Sequence, residues 1–290
     1  MVAIIGPRQS GKTTLCHQIE EDWRSFDLEK ESDYQLVDRD PELFLRMYPH
    51  HVIIDEIQTL PKLFPALRVS IDETREIKGR YIVTGSSSPS LVRNISETLA
   101  GRVAIVELGS LKATERWGTS PSEFYPAIAE DIHTQTIENL EPVVSPNKLW
   151  ESWLYGGYPE PVLHREKSIV PIWMDNYRST YINRDIRNLF PRLNIEAFRR
   201  FIGMLANLSG TIVNFADVSR SLAVSQPSVK DYIDIVDGTF IWRKLPAYIK
   251  NTTKRMMKMP RGHIRDSGLL NFLLHINSKE KLLMHPNVGR

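Results

Sequence analysis

Nine residues near the start of the chain, Gly6-Pro7-Arg8-Gln9-Ser10-Gly11-Lys12-Thr13-Thr14, have the spacing G-x-x-x-x-G-K-[ST] of a phosphate-binding loop. The glycines let backbone N–H groups turn inward around phosphate oxygens. Lys12 would reach the β and γ phosphates, and the Thr13 hydroxyl would ligate magnesium. Some forty residues on, His51-Val52-Ile53-Ile54 ends in two acids, Asp55 and Glu56. Asp55 would hold the metal through water and Glu56 would act as general base toward the attacking water. A third run, Arg80-Tyr81-Ile82-Val83-Thr84, leads into Gly85-Ser86-Ser87-Ser88. Its hydroxyls, Thr84 among them, could sense the γ-phosphate or position the water; they could equally form a serine-rich turn that caps a helix starting near Pro89.

This chemistry needs strands that deliver each group to one end of a sheet. Val2-Ala3-Ile4-Ile5 before the loop is a buried parallel strand by composition, and Leu15 to Glu21 after it reads as a helix whose positive end faces the phosphates. Val103 to Leu108 supplies a further strand, with Tyr34-Gln35-Leu36-Val37-Asp38 as an edge member. The expected fold class is therefore α/β: a parallel sheet with flanking helices. Hydrolysis often uses an arginine at the developing γ charge. Arg102, between a helix and the last strand, is the first candidate, near the expected nucleotide face. Arg184 is the second, on a helical face shared with Tyr177 and Tyr181.

The second half changes character. Residues 119 to 147 mix prolines and acids with weak periodicity and read as a linker. Helices follow at Lys148 to Leu154 and Ile169 to Phe190. Phe215 to Ala223, then Val224 to Lys230, reads as a helix-turn-helix with Ser225 as the cap of the second helix. Lys230 is offset by Asp231, Asp234 and Asp237, so this helix is ill suited to a DNA groove. From Thr239 to Arg265, in contrast, there are eight basic residues and no acid. Lys250, Lys254, Arg255, Lys258 and Arg261 in that stretch could hold a nucleic-acid backbone as a basic wing, or contact an acidic partner.

Several blocks together resemble the AAA+ ATPases of bacteria and archaea whose P-loop domain is fused to a domain of unknown function. They are Asp55-Glu56-Ile57-Gln58, Leu60-Pro61, Thr84-Gly85-Ser86-Ser87, Leu99-Ala100-Gly101-Arg102, Tyr155 to Glu160, Tyr181 to Ile186 and Pro260 to Leu269. The resemblance implies an AAA+-type sheet, then a helical segment, then a winged helix. The expected segments are 1–118 for the ATPase domain, 119–192 for a linker and helical lid, and 193–290 for the winged helix. Similar proteins carry tens of residues before the P-loop strand and continue past His285-Pro286 into a restriction-endonuclease-like domain, which this sequence does not include.

Composition is compatible with this outline. Apolar residues make up 41% and charged residues 25%, enough for a folded core. A net charge of only +2 means that nucleic acid would be met by a local patch. The single cysteine, Cys16, fits a reducing cytosol, and no apolar run reaches the length that spans a membrane. The expectation is a cytoplasmic, Mg-dependent ATPase that acts as a nucleotide-driven switch, with DNA, a second copy or a protein as partner. The alternative is a non-hydrolysing, nucleotide-stabilised scaffold whose winged helix does the binding. No Asn-Lys-x-Asp guanine-reading motif is present.

Overall fold

A computed structural model of the chain describes residues 1–19, 22–86, 89–124, 126, 140–164, 166–246 and 261–286. Its contacts divide it into two compact units, Met1–Gly109 with Val213–Gly262, and Ser110–Ile212 with His263–Arg290.

Five parallel strands organise the first unit: β1 (Val2–Gly6), β2 (Arg24–Asp27), β3 (Val52–Asp55), β4 (Tyr81–Ser86) and β5 (Ala104–Glu107), in the order β2-β3-β4-β1-β5. Alternate residues of the central strands feed two cores, as the strand period of two requires. Ala3, Ile5, Val52, Ile54, Tyr81 and Val83 share one face with the helices; Ile4, Ile53 and Ile82 share the other with Cys16. The helices are α1 (Lys12–Cys16), α2 (Glu31–Arg39), α3 (Pro41–Met47), α4 (Leu63–Glu73) and α5 (Pro89–Thr98). In α4 the buried set Leu63, Phe64, Leu67 and Ile71 follows helical spacing, and so do Leu91 and Ile95 in α5. The register pairs Ile5 with Gly85 and Gly6 with Ser86, and Ile54 with Val83. One residue further, Asp55 is level with Thr84, so the chemistry-bearing ends of β1, β3 and β4 lie side by side.

Two expectations are corrected. Tyr34 to Asp38 is not an edge strand but part of α2, where Val37 is fully buried and Tyr34, three residues earlier, packs on the same core. The edge strand is Arg24–Asp27, in which Phe26 alone is buried. The helix after the loop is α1, which starts at Lys12 and ends at Cys16, short of the stretch from Leu15 to Glu21.

The chain leaves the first unit at Gly109 and builds α6 (Ala113–Trp117), α7 (Pro146–Tyr155), α8 (Pro159–Leu163) and α9 (Ile169–Thr180) in the second. There α9 runs on through a π-helical stretch, Tyr181–Ile186, to α10 (Arg187–Leu189), followed by α11 (Ile195–Asn207). It then returns to the first unit with α12 (Phe215–Leu222) and α13 (Gln226–Gly238). Ala223 in the left-handed region makes the turn, and the Ser225 hydroxyl accepts from Ser228 N at 3.2 Å, capping α13 as expected. α13 packs on α5, and Phe240 joins the core beneath the sheet. β6 (Trp242–Leu245) pairs with β7 (Arg261–Ile264), after which α14 (Ser267–Leu273) and α15 (Lys279–Met284) belong to the second unit. The two units are thus interleaved in sequence.

Candidate nucleotide site

β1 closes on Gly6, which must lack a side chain because the segment just after β5 runs beside it: a Cβ there would lie 2.0 Å from the Leu108 carbonyl oxygen. The loop turns at Gln9 and Gly11, both left-handed with φ of 60° and 92°. Arg8 approaches Glu29 at 4.0 Å. Lys12 is buried and folded back on the loop, its Nζ donating to the Pro7 carbonyl at 2.8 Å and to the Gly6 carbonyl at 3.2 Å. Burial holds the Lys12 amine below its usual value, and the charges of Glu56 and Asp55 oppose that shift. Ser10 Oγ is buried without a hydrogen-bond partner among the described residues. A buried donor of this kind, beside an inward-turned loop, suits a ligand rich in acceptor oxygens.

Asp55 joins three elements. Its Oδ2 accepts from Thr13 Oγ1 of α1 at 2.6 Å, and its Oδ1 accepts from Thr84 Oγ1 of β4 and from Glu56 N at 3.1 Å. Both Asp55 and Thr84 are almost fully buried. A hydroxyl and a carboxylate in direct contact are the hard oxygen donors that magnesium prefers. The described residues contain no cluster of three or more acidic, histidine or cysteine ligands.

Glu56 follows in the left-handed region, φ 55°, which turns its side chain across the tip of β4. There its Oε2 accepts from Ser86 N at 3.2 Å, from Ser86 Oγ at 2.7 Å and from Gln58 Nε2. Ser86 is paired with Gly6, so the carboxylate leans toward the phosphate loop. The sequence singled out the serines at this tip, but Gln58 only as part of a block.

The arginines fall elsewhere. Arg102 precedes β5, at the amino end of the sheet, where its carbonyl accepts from the Met1 amine at 3.1 Å. Its guanidinium grips Asp72 of α4 with two 2.7 Å bonds. A four-residue parallel strand separates it from the phosphate loop, so the expectation that it lies near the nucleotide face is not met. Arg184 is exposed on the π-helical stretch, while Tyr177 and Tyr181 are buried and stacked 6.4 Å apart. The wider π turn takes Arg184 off the face that regular helical spacing would share with them. Of the basic wing, Lys250, Lys254, Arg255 and Lys258 lie outside the described residues; Arg261 is exposed at the start of β7.

Residues 1–116 match the family model of the AAA domain. Residues 1–116 thus form an AAA-type P-loop domain. It is followed at residues 146–280 by a match to a domain of unknown function, DUF8612. The AAA match supports a nucleotide-binding, ATPase-like role for residues 1–116. Two curated relatives are the uncharacterized proteins Rv2008c of Mycobacterium tuberculosis and Mb2031c of Mycobacterium bovis. Each is 33% identical over the whole of this chain, which spans 59% of the relative's length. Among solved structures, the Aeropyrum pernix ORC1 protein in complex with DNA aligns at TM-score 0.32 and 13% identity, covering 94% of this chain and 86% of that one. Caenorhabditis elegans PCH-2 aligns at TM-score 0.27 and 13% identity, covering 80% and 61%. Values this low add nothing to what the sheet and the AAA match establish. No helix among the described residues is long and apolar enough to cross a membrane.

Proposed function

We propose that this chain binds ATP with magnesium and hydrolyses it, using the change at the β4 tip to move the helix pair α12–α13. The observation that carries the reading is the Thr13–Asp55–Thr84 contact, with Glu56 beside it over the phosphate loop. Lys12 exchanges the Gly6 and Pro7 carbonyls for the β and γ phosphates, and Thr13 turns its hydroxyl from Asp55 to the metal. Thr13, and Asp55 through water, would hold magnesium, which would supply positive charge against the phosphates. Glu56 takes the proton of the attacking water as the β–γ bond breaks. The route outward is short: α5 starts three residues after Ser86, α13 packs on α5, and Phe240 anchors the next segment in the sheet's core. Phosphate release should be seen with the wild type and lost in both Lys12→Ala and Glu56→Gln. A wild type that binds ATP without turning it over would favour the scaffold reading.

Nucleic acid is the partner this reading favours, through the basic stretch and not through α13. Asp234 and Asp237 of α13 face Lys244 of β6 at 3.0 and 3.4 Å, which leaves that helix face acidic and already paired. Joint neutralisation of Lys254, Arg255 and Lys258 should remove binding to a DNA duplex; unchanged binding would discard the wing as the contact. The exposed Arg184 is the arginine available to a neighbouring copy, and the chain would then work as a homo-oligomer in the cytoplasm.

A further inference from the structure

The two oxygens of Glu56 are not equivalent. All three hydrogen bonds it accepts, two from Ser86 and one from Gln58, end on Oε2. Oε1 accepts none among the described residues. The Gln58 amide has one workable orientation here, because turning it over would set its carbonyl against the carboxylate. Held this way, its own Oε1 is pushed into a notch above Gly85, buried and without a donor. The notch exists because Gly85 has no side chain: a Cβ would lie 2.4 Å from that oxygen. A buried acceptor with no donor is unfavourable for folding, so the arrangement is poor for stability and specific in what it does to Glu56. The same amide also reaches Ser86 Oγ at 3.3 Å, which ties the three side chains into one unit.

We propose that Gln58 is a positioning residue for hydrolysis: with Ser86 it saturates Oε2 of Glu56 and leaves Oε1 as the acceptor for the attacking water. The inference rests on the ATPase reading above. Three donors on one oxygen fix the carboxylate's rotation, so the remaining lone pairs point in one direction. That is the requirement for orienting a water against a γ-phosphate, where geometry more than base strength limits the rate.

The test compares the wild-type chain with Gln58→Met, Ser86→Ala and Glu56→Gln in steady-state ATP hydrolysis with magnesium, with thermal unfolding and ATP affinity measured on each. Methionine keeps the length of glutamine and removes both the donor and the orphaned acceptor. The expected result is a kcat about 10- to 100-fold lower in Gln58→Met, with KM and ATP affinity unchanged. Its melting temperature should be unchanged or higher, and Ser86→Ala, which keeps the backbone donor, should lose less kcat. Opposite movement of rate and stability is what a merely structural glutamine would not give. Wild-type kcat in Gln58→Met overturns the proposal, and so does a joint fall in rate, affinity and stability. A wild type that binds ATP but shows no turnover above Glu56→Gln removes the ATPase reading itself, and the role of Gln58 falls with it.

Discussion

Replacing Asp266 by alanine should destabilise the second unit more than any other single change to a polar side chain there. The carboxylate is 5% exposed and serves as the cap of α14. Its Oδ1 accepts from Leu269 N at 2.9 Å; its Oδ2 accepts from Gly157 N at 2.9 Å and Ser110 Oγ at 2.8 Å. Gly156 and Gly268 are glycines because this cluster is so tight: a Cβ would lie 2.2 Å from Asp266 Oδ1 at the first and 2.2 Å from the Tyr155 carbonyl oxygen at the second. Losing a cap costs about 1 kcal/mol, and each buried N–H left without a partner costs about 1–3 kcal/mol. Water entering the gap would recover part of this, so Asp266→Ala should lose about 3–5 kcal/mol. Asp266→Asn keeps one acceptor but sets an NH2 against a donor, and should fall in between. Urea unfolding followed by tryptophan fluorescence reports the change, since Trp117, Trp150, Trp153 and Trp173 lie in this unit. The pH dependence has a definite sign. Burial raises the Asp266 carboxyl above the usual carboxylate range, and its hydrogen bonds oppose that. A raised value in the folded state favours the protonated form, so this share of stability is complete below the ordinary carboxylate value. It is then lost as pH rises through the raised value, a slope that Asp266→Asn should lack. A loss below about 1 kcal/mol in Asp266→Ala would refute the reasoning, because a cap alone accounts for that much.

Gly6→Ala sets a methyl group 2.0 Å from the backbone oxygen of Leu108, just past β5. The end of β1 must then shift, and ATP binding should be lost together with some stability in a calorimetric titration and melt. The Cys16 thiol, buried and beside Asp55, is pushed up to about 11 by burial first and by that charge second. It should resist an aromatic disulfide reagent at pH 8 in the native protein and react at once in denaturant. Arg102→Ala removes an ion pair at the far end of the sheet, so turnover and ATP affinity should match the wild type; a large loss of turnover would return Arg102 to the catalytic list.

The phosphate loop and the Asp55-Glu56 strand were legible because their chemistry is carried by short, contiguous runs in which strand, turn and ligand follow one another. Arg24-Ser25-Phe26-Asp27 was not, since it buries a single apolar side chain. Tyr34 to Asp38 is long enough to suggest a strand and too short for its period to separate strand from helix. The place of Arg102 depended on which end of β5 it precedes relative to the loop, a matter of strand direction. Gln58 meets Ser86 only through the β3–β4 register, 28 residues apart. The partners of Asp266, Gly157 and Ser110, lie 109 and 156 residues away in sequence. Two blocks that the family resemblance had picked out separately, around Gly156-Gly157 and Asp266-Ser267-Gly268, prove to be two halves of one packed cluster.

Equilibrium binding of a fluorescent ATP analogue, with and without magnesium, tests the central claim most directly. The account predicts saturable binding that magnesium strengthens, that Asp55→Ala renders insensitive to magnesium, and that Lys12→Ala abolishes. Binding that survives Lys12→Ala, or none at all by the wild type, would contradict it.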